Sequence, residues 1–319
     1  MRILITGGAG FIGSHLAERL LKDGHHVQII DNLSTGKLEN IETFKHNPKF
    51  SYTIGTILNR DLMEQLISKS DQIYHLAAAV GVKYIIENPL LSLKTNIMGT
   101  ENVLELANKY KCKVLITSTS EVYGKSDKLP FNETSDRLMG PTQISRWGYA
   151  CSKCIDEFYA QAFYREKKMP VVIARCFNTV GPRQTGQYGM VVPKFVKSAL
   201  LDQPIIIYGS GKQTRCFADV LDVIEAFLAL MAEKKCEGEI FNVGTQESIS
   251  IEDLAKKVKT MCDSKSKIEY MAYEDAYEEG FEDMMHRMPD LAKIKSYIGY
   301  EPKIKLDEII QRMIEHYEN

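Results

Sequence analysis

RILITGGAGFIGSHLAERLLK, residues 2–22, is the stretch that decides the fold of this chain. The apolar run at 2–6 predicts a strand, the glycine-rich segment at 7–13 predicts a tight turn, and the apolar spacing at 14–22 predicts a helix. A further apolar run at 27–30 predicts a second strand, which ends in Asp31. Strand, turn, helix and strand in this order predict an α/β fold.

The same alternation returns further along the chain. Strands are predicted at 73–76, 114–117 and 171–174, and long amphipathic stretches such as 96–110 separate them. Strands that alternate with helices imply right-handed crossovers and a parallel sheet covered on both faces. We therefore predict a doubly wound parallel sheet of the Rossmann type.

The glycine turn has the spacing G-x-x-G-x-x-G at Gly7, Gly10 and Gly13. The first two glycines allow the backbone to approach a pyrophosphate, the third allows the helix to pack on the strand, and the helix N-terminus offers free N–H groups. Asp31 stands where a carboxylate meets the adenosine ribose hydroxyls, and it would repel a 2'-phosphate. The turn therefore predicts a dinucleotide site that prefers NAD to NADP.

The character of the sequence changes after about residue 178, where glycines and prolines break the pattern into shorter pieces. Helices are predicted at 220–231, 250–261 and 306–317, a strand that returns to the sheet at 239–243, and a loop at 270–283. We predict a cofactor-binding domain at 1–177, joined by 219–246. Residues 178–218 and 247–319 would form a smaller C-terminal α/β domain that binds the substrate.

Tyr149 and Lys153 stand one helical turn apart, and the run Ser118-Thr119-Ser120-Glu121 precedes them. A nearby ammonium and the positive nicotinamide of an oxidised cofactor both favour the phenolate, so Tyr149 could take a hydroxyl proton. If Thr119 holds the same oxygen, the carbon that bears it could release hydride to the nicotinamide. This constellation predicts an oxidoreductase site.

Composition excludes several classes of protein. Among the 319 residues 44% are apolar and 26% charged, and the net charge is -2, which argues against disorder and against nucleic acid as a partner. The chain has no apolar run long enough for a membrane span and no basic leader at its start, so we expect a cytoplasmic protein without a membrane partner. Seven scattered cysteines favour a reducing compartment, and we interpret the C-x-x-C at Cys151 and Cys154 as coincidence and expect no metal site.

With these residues in hand, the chain resembles the extended short-chain dehydrogenase/reductase family, whose NAD-dependent members modify nucleotide-activated sugars. The motifs that carry the resemblance are the glycine turn, HLAA at 75–78, NIMGT at 96–100, STSEVYG at 118–124, Tyr149 with Lys153, RCFN at 175–178, GPR at 181–183, and Tyr208-Gly209 leading to Arg215. Thr56 departs from the pattern, because many members have an aspartate at this position near the adenine. The departure puts one adenine contact in doubt.

The resemblance implies a role for each matching residue. Tyr149 would be the acid/base, Lys153 would hold the nicotinamide ribose, and Thr119 would bind the sugar 4-hydroxyl. The remaining members of the predicted catalytic set are Ser120 and Glu121. The predicted cofactor set is Gly7, Gly10, Phe11, Ile12, Gly13, Asp31, Asn32, Leu76, Ala77, Ala78, Asn96, Ser118, Tyr149 and Lys153. The predicted substrate is a nucleoside diphosphate sugar, with a UDP-sugar as the first expectation. The predicted substrate set is Lys83, Arg146, Asn178, Val192, Tyr208, Arg215 and Arg287.

Members of this family oxidise C4 of the sugar to a ketone and then diverge. A 4-epimerase returns hydride to the other face, a 4,6-dehydratase expels the 6-hydroxyl, and a decarboxylase releases the C6 carboxylate of a uronic acid. Glu121 is typical of dehydratases and uronate decarboxylases, whereas simple epimerases have a small residue there. Ser120 stands where one dehydratase type has the aspartate that protonates the leaving hydroxyl, and serine is a poor acid.

Two further stretches, GP at 140–141 leading to SRWGY at 145–149 and GFED at 280–283 followed by HRMP at 286–289, resemble UDP-glucuronate decarboxylases. In that resemblance Arg287 approaches the sugar carboxylate and Arg146 the phosphates or sugar. Residues 178–184 and the loop 186–192 instead resemble UDP-glucose-type 4-epimerases. We predict a UDP-glucuronate decarboxylase first, with 4-epimerase and 4,6-dehydratase as alternatives.

Two readings from other classes fit less well. A sugar-nucleotide-binding scaffold would be expected to lack Tyr149, Lys153 or Thr119, and all three are present. A generic carbonyl reductase rarely needs the broken C-terminal region with Arg215 and Arg287, and often prefers NADP.

Quaternary structure is predicted from the same resemblance. In relatives the helices that correspond to 96–110 and 149–164 form a dimer interface of four packed helices. Leu104, Phe158, Tyr159 and Phe163 fit that use, and they fit a buried core equally well. We predict a homodimer.

Overall fold

A computed structural model describes residues 1–186, 190–276 and 284–318, with the side chains of 82–84, 274 and 276 left out. The strands are β1 (Arg2–Thr6), β2 (His26–Asp31), β3 (Phe50–Ile54), β4 (Gln72–His75), β5 (Lys113–Thr119), β6 (Val171–Cys176), β7 (Thr179–Val180), β8 (Ile205–Tyr208), β9 (Thr214–Cys216), β10 (Ala218–Asp219), β11 (Ile240–Val243), β12 (Ser248–Ser250), β13 (Ile268–Met271) and β14 (His286–Arg287). The α-helices are α1 (Phe11–Lys22), α2 (Arg60–Ile67), α3 (Val82–Glu87), α4 (Pro89–Tyr110), α5 (Ser145–Lys167), α6 (Val191–Leu200), α7 (Val220–Ala232), α8 (Ile251–Met261), α9 (Tyr273–Ala276), α10 (Ala292–Ile298) and α11 (Leu306–Glu318). Short 3₁₀ helices cover Leu38–Ile41, Ser120–Tyr123 and Lys234–Cys236.

A parallel sheet of seven strands forms the centre of the molecule, in the order β11-β6-β5-β4-β1-β2-β3. Successive side chains of a strand point to opposite faces, so Ile3 and Ile5 enter one apolar core and Leu4 enters the other. The first core packs under α1 and α7, and the second under α2, α4 and α5. Two covered faces are why these strands are almost uniformly apolar. The doubly wound α/β fold is therefore confirmed.

The strand order reverses between β1 and β4, which lie side by side although β2 and β3 follow β1 along the chain. At such a switch point the loops after neighbouring strands lead in opposite directions and leave a crevice at the carboxyl ends of the strands. The segments that leave β1, β4 and β5 at this edge begin with Gly7, Leu76 and Ser120. The fold therefore brings the glycine turn, the HLAA motif and the serine-threonine run to one edge.

A third apolar core lies in the C-terminal half, where α6, α8 and α11 pack together and against β8. Short sheets frame it: β8 pairs with β13, β9 lies between β12 and β14, and β7 pairs with β10. β11 returns to the large sheet beside β6, as the sequence predicted. The exact domain boundaries at 177, 219 and 246 stay a prediction.

The predicted loop at 270–283 is wrong in its first part. Residues through Met271 belong to β13, which runs parallel to β8 with Tyr270 opposite Ile207, and α9 follows. The local pattern could not reveal this strand, because its partner lies far away in the sequence. Residues 277–283 lie outside the described part of the chain.

The residues predicted for a dimer interface divide between core and surface. Leu104 is fully buried within the second core, whereas Tyr159 and Phe163 are partly buried and pack against that core. Phe158, in contrast, is 66% exposed.

Across residues 1–186, 190–276 and 284–318, no helix has the length and apolar content that crossing a bilayer requires.

Candidate functional site

One continuous cleft of about 530 Å³ follows the carboxyl edge of the large sheet and extends between it and the short sheets. Most of the predicted site residues line it together. These are Gly7, Gly10, Phe11, Ile12, Gly13, Asp31, Asn32, Leu76, Ala77, Ala78, Ser118, Thr119, Ser120, Glu121, Arg146, Tyr149, Lys153, Asn178, Val192, Tyr208, Arg215 and Arg287. Asn96 is not among the described lining residues, and the side chain of Lys83 lies outside the described part of the chain.

The glycine turn is built so that no side chain fits. Gly7 has a φ of +72°, and a Cβ there would lie 2.9 Å from the backbone nitrogen of Ala77. A Cβ on Gly13 would lie 2.2 Å from the carbonyl oxygen of Gly7, because α1 packs directly on the turn. The N-terminus of α1 has no side-chain cap and no acidic residue in its first turn. Such an end offers backbone N–H groups and the positive end of the helix dipole to a phosphate.

Asp31 ends β2 at the edge of the cleft and is tied to the glycine turn. Its carboxylate accepts hydrogen bonds from the backbone N–H groups of Ala9 (3.0 Å) and Leu33 (2.8 Å). Burial raises the pKa of Asp31, and these backbone donors oppose the rise. Gly36 lies so close that a Cβ there would come within 2.8 Å of the carboxylate. The acid is thus fixed beside the turn, where the sequence predicted a contact with ribose.

Asn96 is a correction to the predicted cofactor set. It is buried in α4, where its side-chain oxygen accepts from the backbone N–H of Ala79 (2.8 Å) and its amide donates to the hydroxyl of Ser152 (3.1 Å). It therefore joins the loop after β4 to α5 from behind the cleft wall. The family resemblance gives Asn96 a more structural role than the other members of that set, and both polar ends of its amide are bonded within the protein.

Tyr149 and Thr119 meet at the centre of the cleft. The hydroxyl of Thr119 hydrogen-bonds to the phenol and favours its ionised form, but burial raises the pKa of Tyr149 far above its ordinary value, and Glu121 adds to the rise. The predicted ionisation of Tyr149 beside Lys153 and an oxidised cofactor stays a prediction. The Lys153 ammonium itself is paired with Asp156 at 2.7 Å.

The serine-threonine run is held from behind by a buried ionic network. Ser118 donates to Glu157 (2.6 Å), and the guanidinium of Arg175 grips the same carboxylate through two nitrogens at 2.9 and 2.8 Å. Arg175 also donates to the phenolic oxygen of Tyr123 (2.8 Å), which in turn donates to Asn242. A bidentate pair of this kind fixes orientation as well as position. The network ties β5, α5, β6 and β11 together beneath the site.

Glu121 lies between two buried arginines. Its two carboxylate oxygens are 3.8 Å from Nε of Arg146 and 3.5 Å from Nη1 of Arg287. Arg146 packs over the ring of Trp147, and that ring leaves no room for a side chain on Gly140, where a Cβ would lie 2.1 Å from the indole nitrogen. This contact accounts for the glycine of the 140–141 motif. It also holds Arg146 toward the cleft.

Arg215 and Arg287 are neighbours across two parallel strands, since β9 and β14 pair with Arg287 opposite Arg215. Both are at least nine-tenths buried and both line the cleft. The segment that carries Arg287 is fixed on its other side by Phe131, whose N–H donates to Met288 (2.9 Å) and whose carbonyl accepts from Asp290 (2.7 Å). Buried cations are stabilised by nearby anions, and Glu121 lies within 3.5 Å of Arg287.

The far end of the cleft is lined by Asn178, Val192 and Tyr208. Asn178 donates its side-chain amide to the carbonyl of Cys216 (3.3 Å), and Val192 is buried in the first turn of α6. Lys194 hydrogen-bonds to the hydroxyl of Tyr208 and also lies over its ring, 4.4 Å from the centroid. Sequence reasoning missed Lys194. The feature that could have suggested it as a site residue is its position two residues after Val192, in the first turn of α6.

Two predicted features lie outside what the structure describes. The backbone of Lys83 belongs to α3, but its side chain is among those left out, so its predicted contact with substrate stays a prediction. The GFED segment at 280–283 lies in the undescribed stretch.

Sequence reasoning also missed Asp156. Its signal would have been an acid three residues after Lys153, on the same face of the helix.

Comparisons with known proteins agree with this geometry. Residues 4–313 match the model of the GDP-mannose 4,6 dehydratase family. A UDP-N-acetyl-alpha-D-glucosaminuronate decarboxylase from Bacillus cytotoxicus is 42% identical over 99% of this chain and 97% of its own length. UDP-glucuronic acid decarboxylase 1 from Arabidopsis thaliana is 38% identical over 100% of this chain and 70% of its own. Among solved structures, UDP-glucuronic acid 4-epimerase from Bacillus cereus, in complex with UDP-glucuronic acid and NAD, is 29% identical, with a TM-score of 0.89 over 100% of this chain and 99% of that one.

Proposed function

Because the chain belongs to the GDP-mannose 4,6-dehydratase family, we propose that it is an NAD-dependent decarboxylase of a UDP-linked uronic acid. The observation that carries the proposal is Glu121 held between Arg146 and Arg287, in the same cleft as Tyr149 and Thr119. A uronate brings one more carboxylate than a neutral sugar. Buried guanidinium groups are suited to receive it, because a planar fork grips a carboxylate in two places.

The residues around the glycine turn fit NAD. The cradle excludes side chains at Gly7 and Gly13, the uncapped end of α1 suits a diphosphate, and Asp31 suits the hydroxyls of an unphosphorylated ribose. When bound, NAD supplies the hydride acceptor for C4 and a positive charge near the phenol. That charge matters here because the protein alone raises the pKa of Tyr149.

The chain's own residues would divide the work of the first step. Thr119 holds the oxygen on C4, and Tyr149 accepts its proton as the C4–H bond gives up its electrons. Lys153 binds the nicotinamide ribose. Arg215, beside Arg287, would meet the diphosphate together with Asn178, while Val192 and Tyr208 would line the pocket of the base. In this arrangement the cationic arginines would meet the anionic groups of the substrate.

The second step follows from the ketone at C4. The C6 carboxylate is then β to a carbonyl, so the C5–C6 bond can break, carbon dioxide can leave, and the electron pair can pass into the C4 oxygen. The proton on Tyr149 and the hydroxyl of Thr119 stabilise that developing oxyanion. C5 takes up a proton in place of the lost carboxylate, on the side where we assign Glu121. Reduction of C4 completes the cycle.

Two other outcomes of the same C4 oxidation have weaker support. A 4,6-dehydration needs an acid for the leaving hydroxyl, and Ser120 supplies none. A 4-epimerisation is favoured by the likeness to the epimerase from Bacillus cereus, whose substrate is itself a uronate. Arg146 and Arg287 therefore support a uronate as substrate for decarboxylation and for 4-epimerisation alike. The two reactions differ in whether the C6 carboxylate is lost or kept.

Product masses test the proposal. The protein with NAD is incubated in parallel with UDP-glucuronate, UDP-N-acetylglucosaminuronate, UDP-glucose, UDP-N-acetylglucosamine and GDP-mannose. We expect a uronate to lose the mass of carbon dioxide, and the similarity to the decarboxylase from Bacillus cytotoxicus makes the N-acetylated uronate the first to try. Loss of the mass of water from a neutral sugar, or a uronate of unchanged mass with altered sugar couplings, would contradict decarboxylation.

We further propose that the protein is a homodimer formed by the outer faces of α4 and α5. Leu90 (73% exposed), Met98, Ile155 and Phe158 (66% exposed) leave an apolar surface on these two helices, which pack against each other. Surfaces of this kind usually meet a partner. Phe158→Arg should shift the molecular mass in light scattering from dimer to monomer, whereas Leu201→Arg, at the residue that follows α6, should not. A monomeric wild-type protein would contradict the proposal.

A cytoplasmic location is also proposed, and the thiols support it. All seven cysteines are free, and four of them, Cys112, Cys154, Cys216 and Cys236, are buried. Free thiols in this number suit a reducing compartment. Cell fractionation with an antibody to the protein tests the location, and recovery from an oxidising compartment would contradict it.

A further inference from the structure

Asp156 is the direct partner of the catalytic lysine. Its Oδ2 lies 2.7 Å from Nζ of Lys153, and the two side chains are 0% and 3% exposed. Lys153 lines the cleft, whereas Asp156 lies behind it, one turn further along α5. The ammonium that should serve the cofactor ribose is therefore anchored by a carboxylate that solvent does not screen.

A chain of buried polar groups lies beside the carboxylate. Thr100 helps to lower the pKa of Asp156, and its hydroxyl lies 3.0 Å from Nε2 of His75. Nδ1 of His75 lies 2.7 Å from the hydroxyl oxygen of Thr6, which accepts from the N–H of Ala77 (3.1 Å). Thr6, His75 and Thr100 are each at most 1% exposed. The ion pair is thus joined to the loop that lies against the glycine turn.

The charges that face this pair come from several elements. Burial, with Lys153 adding to it, lowers the pKa of His75 on β4 to about 3, so that histidine is neutral and adds no charge. Burial raises the pKa of Asp156, while Lys153 and Thr100 oppose the rise. Glu121 from the 3₁₀ helix, Cys176 from β6 and Asp156 from α5 all oppose ionisation of Tyr149, after burial itself. Burial also raises the pKa of Cys176 to about 12, so its thiol stays neutral.

We propose that Asp156 is a positioning residue for the reaction, which holds the Lys153 ammonium in place and offsets its charge, so that Tyr149 keeps its proton until the cofactor is bound. The inference rests on the proposed function, because it assigns Tyr149 the role of base. Its consequence is a site whose chemistry is switched on by the charge of the oxidised cofactor rather than by Lys153 alone.

Asp156→Asn tests the proposal with little change of shape, since the amide oxygen can still accept from Lys153. Without the negative charge, the phenolate is easier to form. The acidic limb of the pH profile for substrate-dependent NADH absorbance in a single turnover should move to lower pH by about one unit. Glu166→Gln removes the same charge from an exposed site on the same helix and should leave the limb in place. A loss of rate that is equal at every pH would assign Asp156 a structural role only and overturn the proposal.

A direct titration keeps this inference separate from the proposed function. The phenolate absorbance of Tyr149 is obtained as the difference between each protein and its Tyr149→Phe counterpart, with NAD and without any sugar nucleotide. At a fixed alkaline pH, the Asp156→Asn pair should give a larger phenolate fraction than the wild-type pair. Equal fractions would overturn the inference, whichever sugar the enzyme uses. A larger fraction together with no turnover of any uronate would support it and reject the proposed function.

Discussion

The two walls of the cleft are built by different means. The wall at the glycine turn is made of backbone: Gly7 and Gly13 admit no side chain, and the end of α1 presents bare N–H groups. The opposite wall is made of long cationic side chains, Arg146, Arg215 and Arg287, which come from α5, β9 and β14. The backbone wall would select its ligand by shape, and the wall of arginines would select its ligand by charge. Tyr149 lies where they meet, so each wall can be disturbed separately.

Removing the group at the junction should have the largest effect. Tyr149→Phe deletes the proton acceptor but keeps the ring, and turnover should fall by roughly 1,000-fold. NAD affinity, measured by fluorescence titration, should stay near that of the wild type because the glycine turn is untouched. A variant that retains most of its turnover would contradict the assigned role.

The backbone wall is broken by Gly13→Ala. The new Cβ would lie 2.2 Å from the carbonyl oxygen of Gly7, and neither backbone can move without shifting α1. We expect the free energy of unfolding to fall by about 1–3 kcal/mol and NAD affinity to weaken roughly 100-fold.

Gly299→Ala is the matched control for that change. Gly299 also has a positive φ, +66°, but a Cβ there meets nothing within 4 Å. Urea denaturation should report a loss of about 1 kcal/mol from strain alone, and NAD titration should report no change. If Gly13→Ala bound NAD as well as this control does, the turn would not be the cofactor site.

Glu121→Gln tests the carboxylate that lies between the arginines and also raises the pKa of Tyr149. The carboxylate between Arg146 and Arg287 is lost while the shape is kept, so C4 oxidation and release of carbon dioxide should proceed, and protonation of C5 should slow about 100-fold. Because Glu121 raises the pKa of Tyr149, the acidic limb of the oxidation step should also move to lower pH. Rapid-quench analysis of the keto sugar measures both. An unchanged rate of C5 protonation would remove Glu121 from the mechanism.

The cationic wall is weakened by Arg287→Ala. A charge-assisted contact to the C6 carboxylate would be lost, so KM for a UDP-uronate should rise by about 10–100-fold. Binding of the matching neutral UDP-hexose, measured by calorimetry, should change much less. Equal losses for both ligands would assign Arg287 to the diphosphate instead.

The smallest expected effect concerns the adenine end of the backbone wall. Thr56 lines the cleft at the position where the family resemblance would place an aspartate, and its hydroxyl accepts a long hydrogen bond from the N–H of Leu58, at 3.3 Å. Thr56→Asp should restore one hydrogen bond to the adenine and tighten NAD binding by less than about 10-fold. Weaker binding would mean that the cofactor lies differently at this end.

The contrast between the walls also explains what the sequence could predict. The glycine turn, Asp31 and the alternating strands are local patterns, and the structure has them as predicted. The pairing of Arg215 with Arg287 depends on strands far apart in the chain, so only the family resemblance could suggest that both arginines meet one ligand. The burial of Tyr149 and the pairing of Lys153 with Asp156 could not be predicted, because a sequence pattern does not measure burial or contacts between side chains.

UDP-uronate deuterated at C4 offers the most direct test of the central claim, that C4 oxidation by the Tyr149 site precedes loss of the C6 carboxylate. Release of carbon dioxide is followed in a single turnover together with NADH absorbance. The account predicts that deuterium slows both signals and that neither appears with Tyr149→Phe. Release of carbon dioxide that is insensitive to deuterium, or a product that keeps its carboxylate, would contradict it.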